Sequence, residues 1–327
     1  MNQRPDVSVI VPCYNAQRFL GVCLESLKAQ KEPVIEMIFI DDGSTDETGA
    51  MLDRFAAAEP RARVVHVENG GVSSARNRGI ALAQGRYIAF MDADDALEEN
   101  SLFMLYQHAL HTGAQIVSAN HTIFDMATQR RIPVEDELIA HQSAEIVKEI
   151  IHMHRIYNNI WNKLYDSALF SDDVRLDERV KIGEDALLNL ALYHRARRVH
   201  HLSERTYVYR VHNASAMANI RGYSDAHQPM LRSMSKTLVE QGKKALYFRD
   251  FLQSCVWIDE KETGIRACMR RFNREIRPLV MEGISGESIP QGDQRLFRLV
   301  EAGGFPVFYI LMRVKEKLTG RKWGIRR

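Results

Sequence analysis

The segment FMDADDAL, residues 90–97, places three aspartates at the end of an apolar run. Asp92, Asp94 and Asp95 are close enough in sequence to repel one another, so the cluster is either a solvated turn or a binding site for a cation. Hard divalent cations prefer oxygen ligands, and Mg²⁺ is typically held by one or two carboxylates together with substrate phosphates. An EF-hand loop does not fit, because Leu97 stands where that loop requires glycine. The segment alone leaves a turn and a metal site as alternatives.

Two further polar segments, PCYN and DDGS, also follow apolar runs. In PCYN, Tyr14 is either a core aromatic residue or a flat surface for stacking a nucleobase, and both interpretations stand. In DDGS, Asp42 and Ser44 are typical of a turn and a helix cap. Asp41 ends a buried run, where its carboxylate could accept a hydrogen bond from the imide N–H of uracil or from a ribose hydroxyl. The two segments therefore offer candidates for recognising a nucleoside.

Four cationic side chains are candidates for binding phosphate. Arg76 and Arg78 lie in GGVSSARNRG at the predicted start of a helix, and both arginines and helix N-termini attract phosphate. Arg210 and His212 lie in YRVHNAS, a basic segment that could close over a diphosphate. Surface arginines are common and a single histidine is more often structural, so each signal is weak alone.

The segment KIGEDALLNLALY places Glu184 and Asp185 directly before an apolar helical stretch. Acidic residues at a helix N-terminus commonly stabilise the helix through its dipole. The alternative is that Asp185 is a general base, whose carboxylate accepts a proton from an attacking hydroxyl. The local sequence supports both interpretations.

Strand-like and helix-like segments alternate through the first part of the chain. Asn15 is predicted to cap a helix over about residues 16–30, and STDE is typical of a capping box for the next helix. Alternation of this kind predicts an α/β fold with a mainly parallel sheet, whose ligands bind at the carboxyl ends of the strands. The PCYN, DDGS and DADD segments should therefore meet at one edge of the sheet. The predicted strands are VSVIVP, VIEMIFID, ARVVHVE, residues 87–91 and residues 115–118.

Composition limits the classes of function. The 327 residues are 45% hydrophobic and 26% charged, which is typical of a globular protein. The formal net charge of +2 argues against nucleic acid as a partner, since nucleic-acid binders normally carry a strongly basic domain. The N-terminus lacks the apolar core of a signal peptide, and no apolar run reaches the length of about 18 residues that a spanning helix needs. We expect a cytoplasmic protein.

The pattern becomes less regular after about residue 119, and beyond about residue 219 the sequence is helical and basic. We predict a domain over residues 1–218 and a helical, basic C-terminal region over residues 219–327. Its tail joins the apolar segment Phe305–Met312 to seven lysines and arginines. The tail is either a core helix with a solvated end or an interfacial segment that holds the protein on the anionic cytoplasmic face of a membrane.

In combination, these motifs resemble glycosyltransferase family 2, and more narrowly the bacterial enzymes that build surface polysaccharides. The resemblance covers about residues 5–216 and rests on six segments in order: SVIVPCYNAQRFL, FIDDGSTDET, NGGVSSARNRG, IAFMDADDAL, NKLYDSALF and GEDALLNLALY. It implies a GT-A, Rossmann-like fold with residues 1–118 binding the nucleotide sugar and residues 119–218 holding the acceptor and catalytic base. It also implies a UDP-linked donor, Mn²⁺ or Mg²⁺, inversion at the anomeric carbon, and a glycan or lipid-linked acceptor.

The resemblance assigns roles by position. Pro12, Tyr14 and Asn15 belong to the base pocket, and Asp41 binds the base. Arg76 lies near the donor, and the DxD element matches Asp92 and Asp94, with Asp94 as the direct metal ligand. Asp95 contacts the sugar, and Asp185 is the catalytic base with Glu184 beside it. His212 joins the metal ligands or, with Arg210, contacts the diphosphate.

One departure and two alternatives bear on this interpretation. The QxxRW element of processive synthases is absent, which favours transfer of a single sugar. A haloacid-dehalogenase-like phosphohydrolase also carries a DxD element after an apolar strand, but Ala96 stands where those enzymes have Thr or Val. A non-catalytic protein that binds nucleotide sugars or scaffolds an assembly complex is the second alternative.

Overall fold

A computed structural model describes residues 4–135, 159–171, 174–212, 223–240, 244, 252, 272–284 and 288–302. The chain divides into two compact units, Met1–Ile150 with Arg155–Asn219, and Ile151–His154 with Ile220–Arg327. The tail predicted to lie at a membrane, residues 305–327, is outside the described residues. Across the described ranges, no helix combines the length and apolarity needed to cross a membrane.

The first unit is an α/β structure. Its described helices are α1 (Leu20–Ala29), α2 (Thr48–Ala58), α3 (Val72–Leu82), α4 (Ser101–Thr112) and α5 (Glu184–Arg195). Its described strands are β1 (Val7–Cys13), β2 (Ile35–Asp42), β3 (Ala62–Val67), β4 (Tyr87–Phe90), β5 (Ala96–Leu97), β6 (Ile116–Asp125), β7 (Arg130–Val134), β8 (Lys163–Asp166) and β9 (Val199–Val211).

These strands form one sheet in the order β3-β2-β1-β4-β8-β6-β9-β5, with β7 paired to β6. β3, β2, β1 and β4 are parallel, while β8 is antiparallel to both β4 and β6. The five strands predicted from sequence therefore all run in one direction. The predicted α/β fold class is confirmed, and the antiparallel strands β5, β7 and β8 make the second half of the sheet mixed. None of these three strands, which are two to five residues long, was predicted from the sequence, and the thirteen-residue strand β9 was also missed.

The central strands are buried on both faces, as their continuous apolar sequences require. Alternate residues of β1, such as Val7 and Val9, pack with Leu20 and Leu27 of α1. On the opposite face, side chains of β2 pack against α3. Burial on both faces fixes the sheet and therefore the positions at which its strands end.

The loops after β1 and β2 are tied together by their own side chains. Asn15 has left-handed backbone geometry (φ 47°), and its Oδ1 accepts a hydrogen bond from the Thr45 N–H at 2.8 Å. In return the Asn15 N–H donates to Ser44 Oγ at 3.0 Å. The Ala16 N–H donates to Thr48 Oγ1 at 2.8 Å. These reciprocal bonds hold the two strand ends side by side.

Because Asn15 and Ser44 form hydrogen bonds between the two loops, the predicted helix caps are wrong. α1 begins at Leu20 rather than near residue 16, and Asn15 bonds across to the second loop instead of capping the helix. α2 begins at Thr48 with Glu47 at its N-cap, and no side-chain cap bond forms there. Ser44 accepts from the first loop, so the predicted capping box is absent.

Asp42 fixes the loop that leads into α3. It is buried, and its two carboxylate oxygens accept the N–H groups of Gly70 and Gly71 at 2.8 Å each. Gly43 has a positive φ of 71°, and a Cβ there would lie 2.8 Å from the Asn69 nitrogen, so the two loops approach too closely for a side chain. Asp42 therefore does more than shape its own turn: it sets where α3 begins.

The described part of the second unit is helical. It contains α6 (Tyr223–Glu240), a π-helical turn (Phe272–Ile276), α7 (Arg277–Met281) and α8 (Gln294–Glu301). The buried Lys244 ammonium donates to Ser235 Oγ of α6 and to the carbonyl oxygens of Leu279 and Glu282. Because these acceptors satisfy its protons, the lysine links α6 to the segment around α7.

Candidate active site

The polar clusters that follow β1, β2 and β4 lie at the carboxyl edge of the parallel strands. β1 is the neighbour of both β2 and β4, so the PCYN, DDGS and DADD segments emerge beside one another. The structure thus brings these three predicted clusters to one edge, as parallel topology requires.

A single guanidinium connects this edge to α5. Arg76 of α3 is buried, and its Nη2 donates to Asp92 Oδ1 at 2.9 Å. Its Nη1 donates to Asp185 Oδ1 at 2.8 Å and to Glu184 Oε1 at 3.2 Å. Arg76 was predicted to lie near donor phosphates. In the structure it joins the DADD turn to the acidic start of α5.

The carboxylates of Asp92, Glu184 and Asp185 surround the single guanidinium of Arg76. Negative charge is therefore in excess in this poorly hydrated part of the site. Burial raises the pKa of Asp185 to about 7, with Glu184 and Asp92 adding to the shift and Arg76 opposing it. Burial also raises the pKa of Glu184, again against the opposing effect of Arg76. For Arg76, burial lowers the pKa, but the three carboxylates more than offset this and leave it raised. The cluster therefore combines a permanent cation with a carboxyl group that titrates near neutrality.

Asp95 is turned away from the open part of the cluster. It is 1% exposed, and its oxygens accept the Tyr207 hydroxyl and the Arg210 N–H, both at 2.8 Å. The Arg210 guanidinium donates to the Asp94 carbonyl oxygen at 2.9 Å. Both oxygens of Asp95 are thus engaged by β9, and the side chain of Arg210 binds backbone. In this structure the two side chains hold the DADD turn against β9, and the contacts of Asp95 with sugar and of Arg210 with diphosphate stay predictions.

The side chain of Asp94, in the DADD turn, contacts that of His212, which directly follows β9. His212 Nε2 lies 2.9 Å from Asp94 Oδ2, and the imidazole stacks on the ring of Phe19 with centroids 3.9 Å apart. Asp94 keeps about a third of its side chain exposed. Burial, with help from Asp92, raises the pKa of Asp94, and His212 opposes this. Asp94 thus keeps part of its carboxylate accessible to a ligand, with the His212 imidazole bonded beside it.

No set of three or more His, Cys, Asp or Glu side chains converges into a complete metal site in the described ranges. An ion held by Asp94 and His212 would need further ligands, and Mg²⁺ or Mn²⁺ commonly takes these from substrate phosphates and water. The second nitrogen of His212, Nδ1, is buried without a hydrogen-bond partner among described residues. A divalent cation that arrives with a phosphorylated ligand fits this site. The side chains are suitable metal ligands, negative charge is in excess, and one side of Asp94 is exposed.

The predicted nucleoside-binding residues lie in or just after β1 and β2, the strands on one side of β4 in the sheet. Tyr14 is 54% exposed at the end of β1, so its ring is a surface residue rather than part of the core. Asp41 is buried at the end of β2, where its Oδ1 accepts the Ser44 N–H at 3.2 Å. Pro12 lies within β1, next to Ile40 of β2. Tyr14 thus follows β1 and is exposed, whereas Asp41 lies within the neighbouring strand β2 and is buried.

Sequence reasoning missed Tyr207, His66 and Phe19. The Tyr207 hydroxyl contacts both Asp95 Oδ2 and the backbone nitrogen of Asp92, so it holds the turn in shape. The alternating segment TYVYRV indicates a strand and could have placed Tyr207 and Tyr209 on one face. For the contact between Phe19 and His212, 193 positions apart, the sequence contains no local signal.

The sequence model of glycosyl transferase family 2 matches residues 8–175, about half of the chain, and this span includes the three clusters PCYN, DDGS and DADD at the sheet edge. The chain belongs to glycosyltransferase family 2. The glycosyltransferase EpsJ of Bacillus subtilis is 35% identical over 212 residues, covering 63% of this chain and 61% of EpsJ. The succinoglycan biosynthesis protein ExoO of Rhizobium meliloti is 29% identical over 191 residues, covering 56% of this chain and 54% of ExoO.

A solved structure of S. aureus TarS 1–349 superposes with a TM-score of 0.71 at 18% identity, covering 97% of this chain and 93% of that chain. This likeness confirms the GT-A fold. The matched segments span less than two thirds of EpsJ and ExoO. Family membership leaves the dehalogenase-like alternative without support.

The three-carboxylate cluster predicts a pH-dependent effect of removing Arg76. A carboxyl group whose folded-state pKa is raised destabilises the fold once ionised, so stability falls as pH rises from the ordinary carboxyl range through about 7. Arg76→Met removes the opposing cation and should lower the free energy of unfolding by about 3–5 kcal/mol near pH 8, and by less near pH 5.5. Urea titrations at both pH values measure this.

Arg78→Met is the matched control, because Arg78 is exposed on the same helix and has no ion pair among the described residues. Its effect should stay within about 0.5 kcal/mol at either pH. Equal losses for Arg76→Met at both pH values would show that packing, not charge, accounts for them.

Proposed function

We propose that this protein is an inverting, metal-dependent glycosyltransferase that moves one sugar from a UDP-linked donor to a hydroxyl group of a glycan or lipid-linked acceptor in polysaccharide biosynthesis. The observation that carries the proposal is the Arg76 linkage. It holds Asp185, the candidate base, in the same cluster as Asp92 of the DADD turn. A base and a diphosphate-binding turn must be adjacent if an acceptor hydroxyl is to attack the donor sugar.

Asp185 is suited to deprotonate that hydroxyl. With a pKa of about 7, its carboxylate is both available and sufficiently basic near neutral pH. Arg76 holds one carboxylate oxygen at 2.8 Å and so fixes the direction of the group. A base acting on the acceptor allows direct displacement at the anomeric carbon, which inverts configuration and needs no covalent nucleophile.

Asp94 and His212 are the residues that would hold Mn²⁺ or Mg²⁺, with Asp92 alongside. An imidazole nitrogen together with a carboxylate suits Mn²⁺ better than Mg²⁺, which prefers oxygen ligands and bound water. When bound, such an ion neutralises charge on the donor diphosphate and on the departing nucleoside diphosphate. Arg210 and Asp95 contribute by holding the DADD turn against β9.

A UDP-linked donor is supported by the residues predicted to bind the nucleoside and by a structural neighbour. Tyr14 offers an exposed ring for stacking, Asp41 an acceptor for the uracil imide, and Pro12 and Asn15 flank them. TarS 1–349 has been solved in complex with UDP-GlcNAc and superposes on this chain with a TM-score of 0.70. A role in polysaccharide biosynthesis is supported by the similarity to ExoO.

The proposed function also includes peripheral binding of the protein to the cytoplasmic face of the membrane. We expect residues 305–327 to bind vesicles that contain about a third anionic lipid, with binding weakened at high salt. Co-sedimentation of the full chain and of a chain ending at residue 304 measures this. Equal binding by the two chains would locate any membrane contact elsewhere.

A donor screen tests the proposed substrate class. Thermal shifts with UDP, GDP and dTDP in the presence of Mn²⁺ should be largest for UDP, and a ligand at about 100 times its Kd stabilises by about 2.7 kcal/mol. Asp94→Ala should remove the Mn²⁺-dependent part of the shift, because it deletes the proposed carboxylate ligand. Glu99→Ala, an exposed acidic residue just after the turn, is the control and should retain it. An unchanged Mn²⁺ response in Asp94→Ala would refute this metal assignment.

Isosteric variants test the base. Asp185→Asn should bind UDP with unchanged affinity but lower the rate of sugar transfer by about 10²- to 10⁴-fold, since an amide cannot accept the proton. Glu184→Gln removes the same charge beside Arg76 and should cost about tenfold or less. Calorimetry and product analysis measure the two effects. Normal transfer by Asp185→Asn would disprove the assignment, and absence of transfer by the wild type with every donor would favour the non-catalytic alternative.

A further inference from the structure

His66 of β3 lies directly opposite Asp41 in the parallel pairing of β2 and β3. Its Nδ1 is 2.7 Å from Asp41 Oδ2, and its Nε2 is 3.0 Å from Asp53 Oδ1 on α2. Both ring nitrogens thus contact a carboxylate oxygen. Among the described residues, His66 is the one cationic side chain that pairs with Asp41 or Asp53.

This geometry constrains the protonation of the ring. An ionised carboxylate only accepts hydrogen bonds, and a neutral imidazole has only one N–H to donate. Two short contacts with two carboxylates are therefore satisfied together by the imidazolium, which donates from both nitrogens. Asp41 foremost, and then Asp53, raise the pKa of His66 above its ordinary value, with burial opposing the shift.

Two neighbouring positions, Asp42 and Gly49, leave this arrangement undisturbed. From β2, the adjacent Asp42 carboxylate is engaged by the N–H groups of Gly70 and Gly71 rather than by the ring. From α2, Gly49 faces the ring without a side chain. A Cβ at Gly49 would lie 2.9 Å from Asp41 Oδ2 and 3.5 Å from the His66 ring. The close approach of α2 to Asp41 and His66 therefore depends on the absence of a side chain at residue 49.

The consequence for Asp41 is a fixed orientation of its carboxylate. Oδ2 is held by His66, and Oδ1 by the Ser44 N–H. A carboxylate held in this way presents its remaining lone pairs as hydrogen-bond acceptors. Such a group recognises a base with a ring N–H, as in uracil, thymine or guanine. It discriminates against cytosine, whose ring nitrogen at that edge is itself an acceptor.

We propose that protonated His66 is a specificity-determining positioning residue, which holds the Asp41 carboxylate in place as a hydrogen-bond acceptor and so favours a donor whose base carries a ring N–H. The inference rests on the proposed function, because it assigns the base-recognition part of the same site. It makes nucleoside binding pH-dependent: the bridge is complete below the pKa of His66 and is lost as pH rises through it.

Calorimetric titration with uridine and cytidine isolates base recognition from diphosphate and metal. Between about pH 5.5 and pH 8, wild-type affinity for uridine should fall as pH rises, whereas cytidine should bind weakly throughout. His66→Gln should bind uridine about tenfold more weakly at low pH, without the pH dependence. Asp53→Asn, an exposed change, should move the transition to lower pH while leaving low-pH affinity intact. His111→Gln, an exposed histidine of α4, is the matched control and should resemble the wild type.

The nitrogen and carbon chemical shifts of the His66 ring, followed by NMR across the same range, report its charge directly. Two protonated nitrogens at the pH of tightest uridine binding support the proposal. A neutral ring at that pH, or unchanged affinity and pH dependence in His66→Gln, overturns it. If UDP binds normally with His66 neutral, only this inference fails. If the wild type binds neither uridine nor UDP at any pH, the proposed function fails with it.

Discussion

The arrangement of the site depends on one buried guanidinium shared by three carboxylates from two separate parts of the sequence. Arg76 bonds Asp92 after β4, and Glu184 and Asp185 at the start of α5. Its burial makes these charge-assisted bonds strong and makes any unpaired member costly. The start of α5 is therefore placed by Arg76, and Arg76 is placed by the Asp42 clamp on the loop before α3.

A chain of positioning residues surrounds this centre. The loops after β1 and β2 are joined through Asn15, Ser44 and Thr45, so two segments that would otherwise be independent form one rigid edge. β9 holds the DADD turn from the opposite side through Tyr207 and Arg210. Tyr14 and Asp94 keep a large part of their side chains exposed, so a ligand can reach them.

The environment divides similar residues into different roles. Asp42 and Asp95 are fully bonded to the protein's own groups and act on its shape. Asp185 has the same functional group, but it is surrounded by like charge and poorly solvated, so its proton is held near neutral pH. Asp41, bonded to His66, is constrained as an acceptor. These four aspartates thus have three different roles, because burial and neighbouring charges differ among them.

The sequence by itself determined the α/β fold class, the parallel strands and the edge where PCYN, DDGS and DADD meet, because apolar runs ending in polar residues and helical periodicity are local properties. It also indicated the family through motif order. Only the tertiary structure decided that Asn15 bonds to Thr45 rather than capping a helix, and that Asp95 and Arg210 hold backbone. It likewise revealed that His66 bridges two aspartates. These partners lie 13 to 116 positions apart, and no periodicity records which distant side chain satisfies a buried charge.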